Sequence, residues 1–259
     1  MLSSLLLFEL KNLIKAKWIF FYAGFYFLLV EALYYFSIES SKVFISLLNI
    51  ILIVIPLISI IYGTQHFYNS REYIQFLLAQ PIERRNIFLS NFISSLIATI
   101  GGFVLGCGFP LITHEINDSI ILAINLILSG ILLGSIFLSF GYYISNLFDD
   151  KAKGLGAVLI IWFFLCFLYD GLILGVLYYF SDYPIEVPAL IMSMLNPNDL
   201  ARLFITLELD NSALMGYTGA VYKNMLGTFW GIISTLTLMI VWLVLPFMLS
   251  LRKFSQKDF

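Results

Sequence analysis

Six runs of apolar residues alternate along the chain with short polar stretches. A membrane-crossing helix needs about 20 mostly apolar residues, and the runs at 18–38, 43–64, 86–112, 120–145, 155–180 and 225–250 meet that length. The longer runs predict tilt, or helix extending beyond the bilayer. Ahead of the first run, MLSSLLLFELKNLIKAKW places Leu2, Leu5, Leu6, Glu9, Leu10, Leu13 and Ile14 at mostly helical spacing, with Ser3, Lys11, Asn12 and Lys15 on other faces. This pattern predicts an amphipathic helix lying on the membrane, with Lys11, Lys15 and Lys17 among the headgroups. A secretory signal peptide fits residues 1–40 less well, because the apolar region is too long and no A-x-A-like site follows it. The chain reads as an all-α membrane protein, a single transmembrane domain over residues 1–259. Its two larger polar interruptions lie at about 65–85 and 181–224.

Composition agrees. Of 259 residues, 61% are hydrophobic and 12% charged, with a mean hydropathy of +0.96, whereas soluble chains carry roughly 25% charge. A soluble fold of this size could not cover its surface with so few polar groups. The net charge of −2 suggests no polyanionic partner and excludes nucleic acid as one. The distribution of charge says more than the sum. With the N-terminus inside, the inner segments hold Lys11, Lys15, Lys17, Arg71, Arg84, Arg85, Lys151, Lys153, Arg252, Lys253 and Lys257. The outer segments hold only Lys42, Arg202 and Lys223. Cytoplasmic loops carry the excess of Lys and Arg, so both termini are expected in the cytoplasm.

Little in the chain points to catalysis. There is no GxxxxGK[ST] phosphate loop, no GxSxG elbow and no zinc motif. Cys107 and Cys166 both fall inside apolar runs and read as buried free thiols. Glu31 in the first span and Asp170 in the fifth are acids at or near membrane depth, where a carboxyl either serves a function or snorkels to the interface. Glycines recur at GxxxG spacing at Gly102–Gly106, Gly130–Gly134, Gly171–Gly175 and Gly227–Gly231, which fits either a packed bundle or a dimer. Pro56, Pro110 and Pro246 are expected to kink or end spans.

The inner interruption YNSREYIQFLLAQPIERRNIFLSN predicts two helical pieces. Asn69 or Ser70 can cap the first, with Glu72 placed to complete a capping box, and Tyr73, Phe76, Leu77 and Gln80 give it an apolar face. Pro81 stops that helix and suits the first turn of the next, with Glu83 near its start. A short helix with an apolar side and an Arg pair can fit a groove on a soluble partner, or can simply dissolve in the interface. Glu72, Leu77, Leu78, Pro81, Ile82, Arg84 and Arg85 resemble the first inner loop of ABC-2 type exporter permeases. That resemblance implies a coupling helix made of Glu72, Tyr73, Phe76, Leu77, Leu78, Gln80, Pro81, Ile82, Arg84 and Arg85. It would fit a cleft on a separate ATPase subunit, a dimer that carries the ATP and Mg; this chain would be non-catalytic and hold no cofactor. The acidic E-x-G-T-L run usual in the family is altered here to Glu72-Tyr-Ile-Gln.

In the outer interruption, LNPND has the turn chemistry that starts a helix, and DLARLFITLEL continues at helical spacing with Leu200, Leu203, Phe204 and Leu207 on the apolar face. LNPNDLARL followed by SALMGYTGAVY is similar to the corresponding segment of permeases that serve maturation of the copper–sulfur site of nitrous-oxide reductase. The likeness is carried by Asn196, Pro197, Asp199, Arg202 and Gly216–Gly219. It implies a second copy of the permease, and a periplasmic β-helical protein contacting Asn196, Pro197, Asp199, Arg202 and Phe204. Lipid would surround the spans, in the inner membrane of a bacterial cell. Met192, Met194 and Met215 could pass Cu(I) by their thioethers but read better as interface filler. Two other functions stay open: an ABC-2 exporter of lipid, drug or polysaccharide, and a stand-alone channel or secondary transporter using Glu31 and Asp170.

Overall fold

The computed structural model describes residues 2–15, 17–36, 40–115, 120–180, 186–207 and 212–257. The end of the first predicted span at 37–38, the continuation of the outer helix over Glu208 and Leu209, and the side chains of Leu2, Ile14 and Met215 lie outside the described residues. All described elements are helical. They are α1 (Leu2–Lys15), α2 (Trp18–Phe36), α3 (Ser40–Asn69), α4 (Arg71–Leu78), α5 (Arg84–Phe103), α6 (Phe109–Glu115), α7 (Ile120–Leu147), α8 (Lys151–Phe163), α9 (Tyr169–Tyr179), α10 (Glu186–Met194), α11 (Pro197–Thr206) and α12 (Ser212–Gln256). A π-helical turn, Val104–Gly108, joins α5 to α6, and a second, Phe164–Leu168, joins α8 to α9. Six stretches are long and apolar enough to cross a membrane: Trp18–Phe36, Lys42–Asn69, Arg84–His114, Ile120–Leu147, Lys151–Tyr179 and Phe229–Gln256. Pro56 and Pro246 lie inside α3 and α12, and Pro110 inside α6, so none of the three ends a span.

The centre of the bundle is α3 against α7, and small residues set their distance. A Cβ on Gly141 would meet the carbonyl oxygen of Ile60 at 2.7 Å and the amide nitrogen of Thr64 at 3.1 Å, so the two backbones touch. Where hydrocarbon surrounds the helices, such close packing replaces the hydrophobic drive available in water. Gly130 and Gly134 press on Phe103, Ile55 and Ser59, and Gly102 and Gly106 press on Tyr22 and Ala23 of α2. Two of the four GxxxG pairs therefore build the bundle from within, whereas Gly171 and Gly175 meet nothing within 4 Å. Half of each of the second, third and fourth spans is buried inside the chain, against 17%, 22% and 17% of the first, fifth and sixth. Helices apolar all round and left this open are covered by lipid or by another chain.

Both intramembrane acids have partners. Glu31 lies 3.3 Å from His114, whose ring stacks on Tyr34, and so ties the first span to the end of the third. Asp170 pairs with Arg202 at 3.0 Å. Cys107 and Cys166 are buried and free.

The segment between the fifth and sixth spans departs from a surface loop. It makes a helical hairpin, α10 and α11, that folds back into the bundle; α11 packs on α12, α7 and α3. Its Leu200, Ala201 and Phe204 join the central cluster with Ile51, Leu52 and Phe137. The amphipathic face read from the sequence is real, since Leu200, Leu203, Phe204 and Leu207 are all buried. It faces the chain's own spans.

Candidate functional site

At the end of the bundle that carries α1 and the end of α12, α4 lies with Ile74 and Leu77 buried in a cluster with Phe67, Phe88, Tyr142 and Phe254. Tyr73 stacks on Phe8 of α1 at 5.6 Å, and Leu78 and Ile82 are half-buried. Phe76, by contrast, is 62% exposed, flanked by the exposed Glu72. The inward stripe is thus Ile74–Leu77, and Phe76 projects from the other side.

The capping box does not form. Ser70 is the N-cap but makes no capping bond; its hydroxyl donates back to the carbonyl of His66, while Asn69 accepts from Lys151. Pro81 sits in the turn between helices, not in the first turn of α5, which begins at Arg84 with Glu83 as its N-cap. Gln80, Pro81, Glu83 and Arg85 are exposed along this corner.

Sequence reasoning passed over Arg71, counting it only as an inner charge. Its guanidinium donates to the carbonyls of Asp149 (2.7 Å), Phe148 (2.9 Å) and Ser145 (3.2 Å), and lies over the Tyr68 ring at 4.6 Å. These are carbonyls at the C-terminal end of α7, which the helix itself cannot satisfy. Arg84 does the same for α12, donating to the carbonyls of Ser255 (3.2 Å) and Lys257 (2.8 Å). Lys257 in turn reaches Asp149 at 2.7 Å and the Asn146 carbonyl at 3.0 Å, and its hydrogen bond and charge hold the Asp149 carboxyl below the usual range. The signal lay in the sequence: a cation on the first residue of a helix opposes the macrodipole, so it implies a partner elsewhere. Each arginine finds one at the negative end of another helix. The result is a polar collar joining α4 to the ends of the second, fourth and sixth spans.

Beneath α1, Glu9 is buried at 6% exposure and accepts from the Asn91 side chain at 3.3 Å; the same Asn91 nitrogen is 3.3 Å from His66 Nε2. Tyr142 donates to Asn91 and lies 2.8 Å from Ser95. Desolvation raises the Glu9 carboxyl, only partly offset by Asn91. A raised carboxyl favours the packed state when protonated, so the docking of α1 is strongest below the ordinary Glu range and weakens as pH rises through the raised value. Tryptic cleavage at Lys11 and Lys15 should accelerate with pH in wild type relative to Glu9→Gln, with the ratio flat if Glu9 does not titrate.

At the opposite end, Asn196 caps α11 by accepting from the Asn198 amide, with Pro197 at the first helical position. Its amide nitrogen donates to the Leu165 carbonyl at 3.0 Å, inside the π turn and near the middle of the fifth span. The tip of the hairpin is therefore sunk to about half the depth of that span. Tyr169 donates to the Met192 carbonyl at 2.7 Å, and Arg202 bridges Asp170 (3.0 Å) and Asp199 (3.4 Å). Asn196, Pro197, Asp199 and Phe204, expected on a partner-facing strip, are buried here, and only the Arg202 side chain, 40% exposed, is accessible. Their helical spacing was legible, but not the direction in which the helix folds. Among the described residues no group of three His, Cys, Asp or Glu could hold a metal.

The chain belongs to the family described as ABC-2 family transporter protein, which matches residues 5–259; with its six apolar helices it is a multi-pass membrane protein of the permease kind. Over 182 residues it is 28% identical to the "Probable ABC transporter permease protein NosY" of Pseudomonas aeruginosa, a match that spans 66% of this chain and 66% of that relative.

Proposed function

We propose that this chain is the non-catalytic membrane subunit of an ATP-driven transporter, with α4 as the coupling helix by which a separate ATPase dimer moves the spans. The observation that carries the reading is an exposed Phe76 on a helix whose opposite face is locked, by Ile74, Leu77 and Arg71, to the ends of the spans. ATP and Mg bind the partner. The basic end of the bundle faces the cytoplasm by the distribution of Lys and Arg. A second copy covers part of the open first, fifth and sixth spans, where Gly171 and Gly175 leave the backbone accessible. On the resemblance carried by LNPNDLARL, the role of the chain is in maturation of the copper–sulfur site of nitrous-oxide reductase, with a periplasmic β-helical partner seated on the outer end. Asn196, Pro197, Asp199 and Phe204 then act by holding the hairpin in place, and Arg202 is its accessible member.

Co-purification with the ATPase subunit tests the reading. Phe76→Asp and Arg85→Glu should each lower the recovered ATPase at least tenfold, since an anchor residue in an interface is worth about 2 kcal/mol or more. Both variants should insert and remain monodisperse; undiminished ATPase recovery in both removes α4 from the interface. Arg84→Glu is a separate case, because it also strips the last carbonyls of α12 of their donor. A groove of about 710 Å³ lined only by apolar side chains, among them Phe140, Trp162 and Trp242, favours a second reading as an exporter of an apolar cargo. Flux through the chain alone in liposomes, with no ATPase, would instead favour a channel or secondary transporter.

A further inference from the structure

The joint between the outer hairpin and the fifth span contains an unbalanced charge. Asp170 on α9 and Asp199 on α11 flank one guanidinium, that of Arg202, at 3.0 Å and 3.4 Å. With all three ionised the group carries a net −1. Asp199 is 6% exposed, and its second oxygen accepts from the Asn196 amide at 3.3 Å. Among the described residues, no second cation faces the joint. α7 contributes no charged residue, and those of α3 are Lys42 and His66, the nearer ten residues from Leu52, which meets the joint through Cys166. The described charged side chains of α12, Arg252 and Lys253, lie at the other end of the bundle. From α8–α9 and their π turn come only the neutral Tyr169 hydroxyl and Cys166 thiol, which donate to the carbonyls of Met192 and Leu52. A net charge held at this depth is expensive, and the usual remedy is a proton.

We propose that Asp170 and Asp199 form a binding site for one proton, and that this proton fastens the α10–α11 hairpin to the fifth span. Both carboxyls contact the one Arg202 guanidinium, at 3.0 Å and 3.4 Å, so a single proton taken up by the pair makes the group neutral. When the hairpin leaves the span, Asp199 returns to water and the proton passes to solvent. Burial, then the Asp170 charge, push Asp199 up to about 7 while docked, against about 3.9 for a free Asp. The sign follows: docking is strongest below pH 4, weakens as pH rises to 7, and is constant above. The inference rests on the joint alone and stands whatever partner or cargo the transporter has.

Amide hydrogen exchange of the full chain in lipid nanodiscs, corrected for intrinsic rates, tests it over residues 190–206. In wild type, protection should fall by roughly tenfold per pH unit between pH 5 and 6.5 and level off above 7. In Asp199→Asn the remaining Asp170–Arg202 pair is already neutral, and protection should not change with pH. Asp170→Asn leaves Asp199–Arg202 and should likewise be flat, which keeps the test available if one variant fails to fold. A flat wild-type profile, or a slope that survives in a folded variant, overturns the proposal.

Discussion

Gly106→Val should lower the thermal midpoint of the purified protein by about 10 °C, while Gly101→Ala, five residues away on the same span, should leave it unchanged or raise it slightly. At Gly106 a Cβ would run into the Ala23 carbonyl oxygen and lie 2.9 Å from its Cα and 3.0 Å from its carbonyl carbon. All three are backbone atoms of α2, so no rotamer change can relieve the clash and the two spans must part. Overpacking costs about 1–3 kcal/mol where side chains can yield; here the upper end applies, and each kcal/mol shifts the midpoint by about 2–4 °C for a chain of this size. At Gly101 a Cβ meets nothing within 4 Å, and alanine gains about 0.5–1 kcal/mol over glycine inside a helix. Equal midpoints for the two variants would contradict the close packing of the first span on the third.

Arg71→Gln should open the turn after α7. Hydrogen bonds from a charged donor contribute about 1.5–3 kcal/mol each in favourable cases. Loss of the three carbonyl contacts, partly replaced by water, should therefore raise amide exchange at 144–150 by about 30-fold, the equivalent of roughly 2 kcal/mol. Arg71→Lys should not restore protection, because an ammonium cannot span three carbonyls as the planar guanidinium does. Since the same residue starts α4, the variant should also loosen Phe76 and reduce ATPase recovery, though less than Phe76→Asp does. Unchanged exchange at 144–150 would show that the end of α7 holds without its arginine.

The six spans were readable because lipid demands unbroken apolar length, a property of composition that needs no partner. The α4 helix and its corner were readable in outline, from Pro81 and the Arg pair. The side that faces inward was not, because Ile74 and Phe76 are equally apolar and only the three-dimensional position of Phe67 and Phe254 decides between them. Capping was misjudged at Asn69 and Ser70 because α3 runs to Asn69 with hardly a break. Ser70 is still within reach of the preceding turn, so its hydroxyl bonds backward. The hairpin shows the same limit on a larger scale. Period and cap located the start of α11 to within two residues, but an amphipathic helix is equally consistent with a partner outside and a core inside. Burial of Leu200, Ala201 and Phe204 among distant spans turns the segment inward, with Asp170 paired to Arg202 across 32 residues of sequence, and no local pattern encodes either.

The π turn at Phe164–Leu168 divides the fifth span into two lengths with different attachments. The first is keyed to α3, where Trp162 donates to the Ile53 carbonyl at 3.1 Å and Gly154 fits against the Tyr68 hydroxyl. The second is keyed to the hairpin through Leu165, Tyr169 and Asp170. A π turn closes its hydrogen bonds one residue further along than an α turn, and occurs as single turns inside α-helices. The seam between the two attachments therefore falls at mid-span. The fifth span is thus a splice, held by one neighbour on one side of its midpoint and by another on the other side.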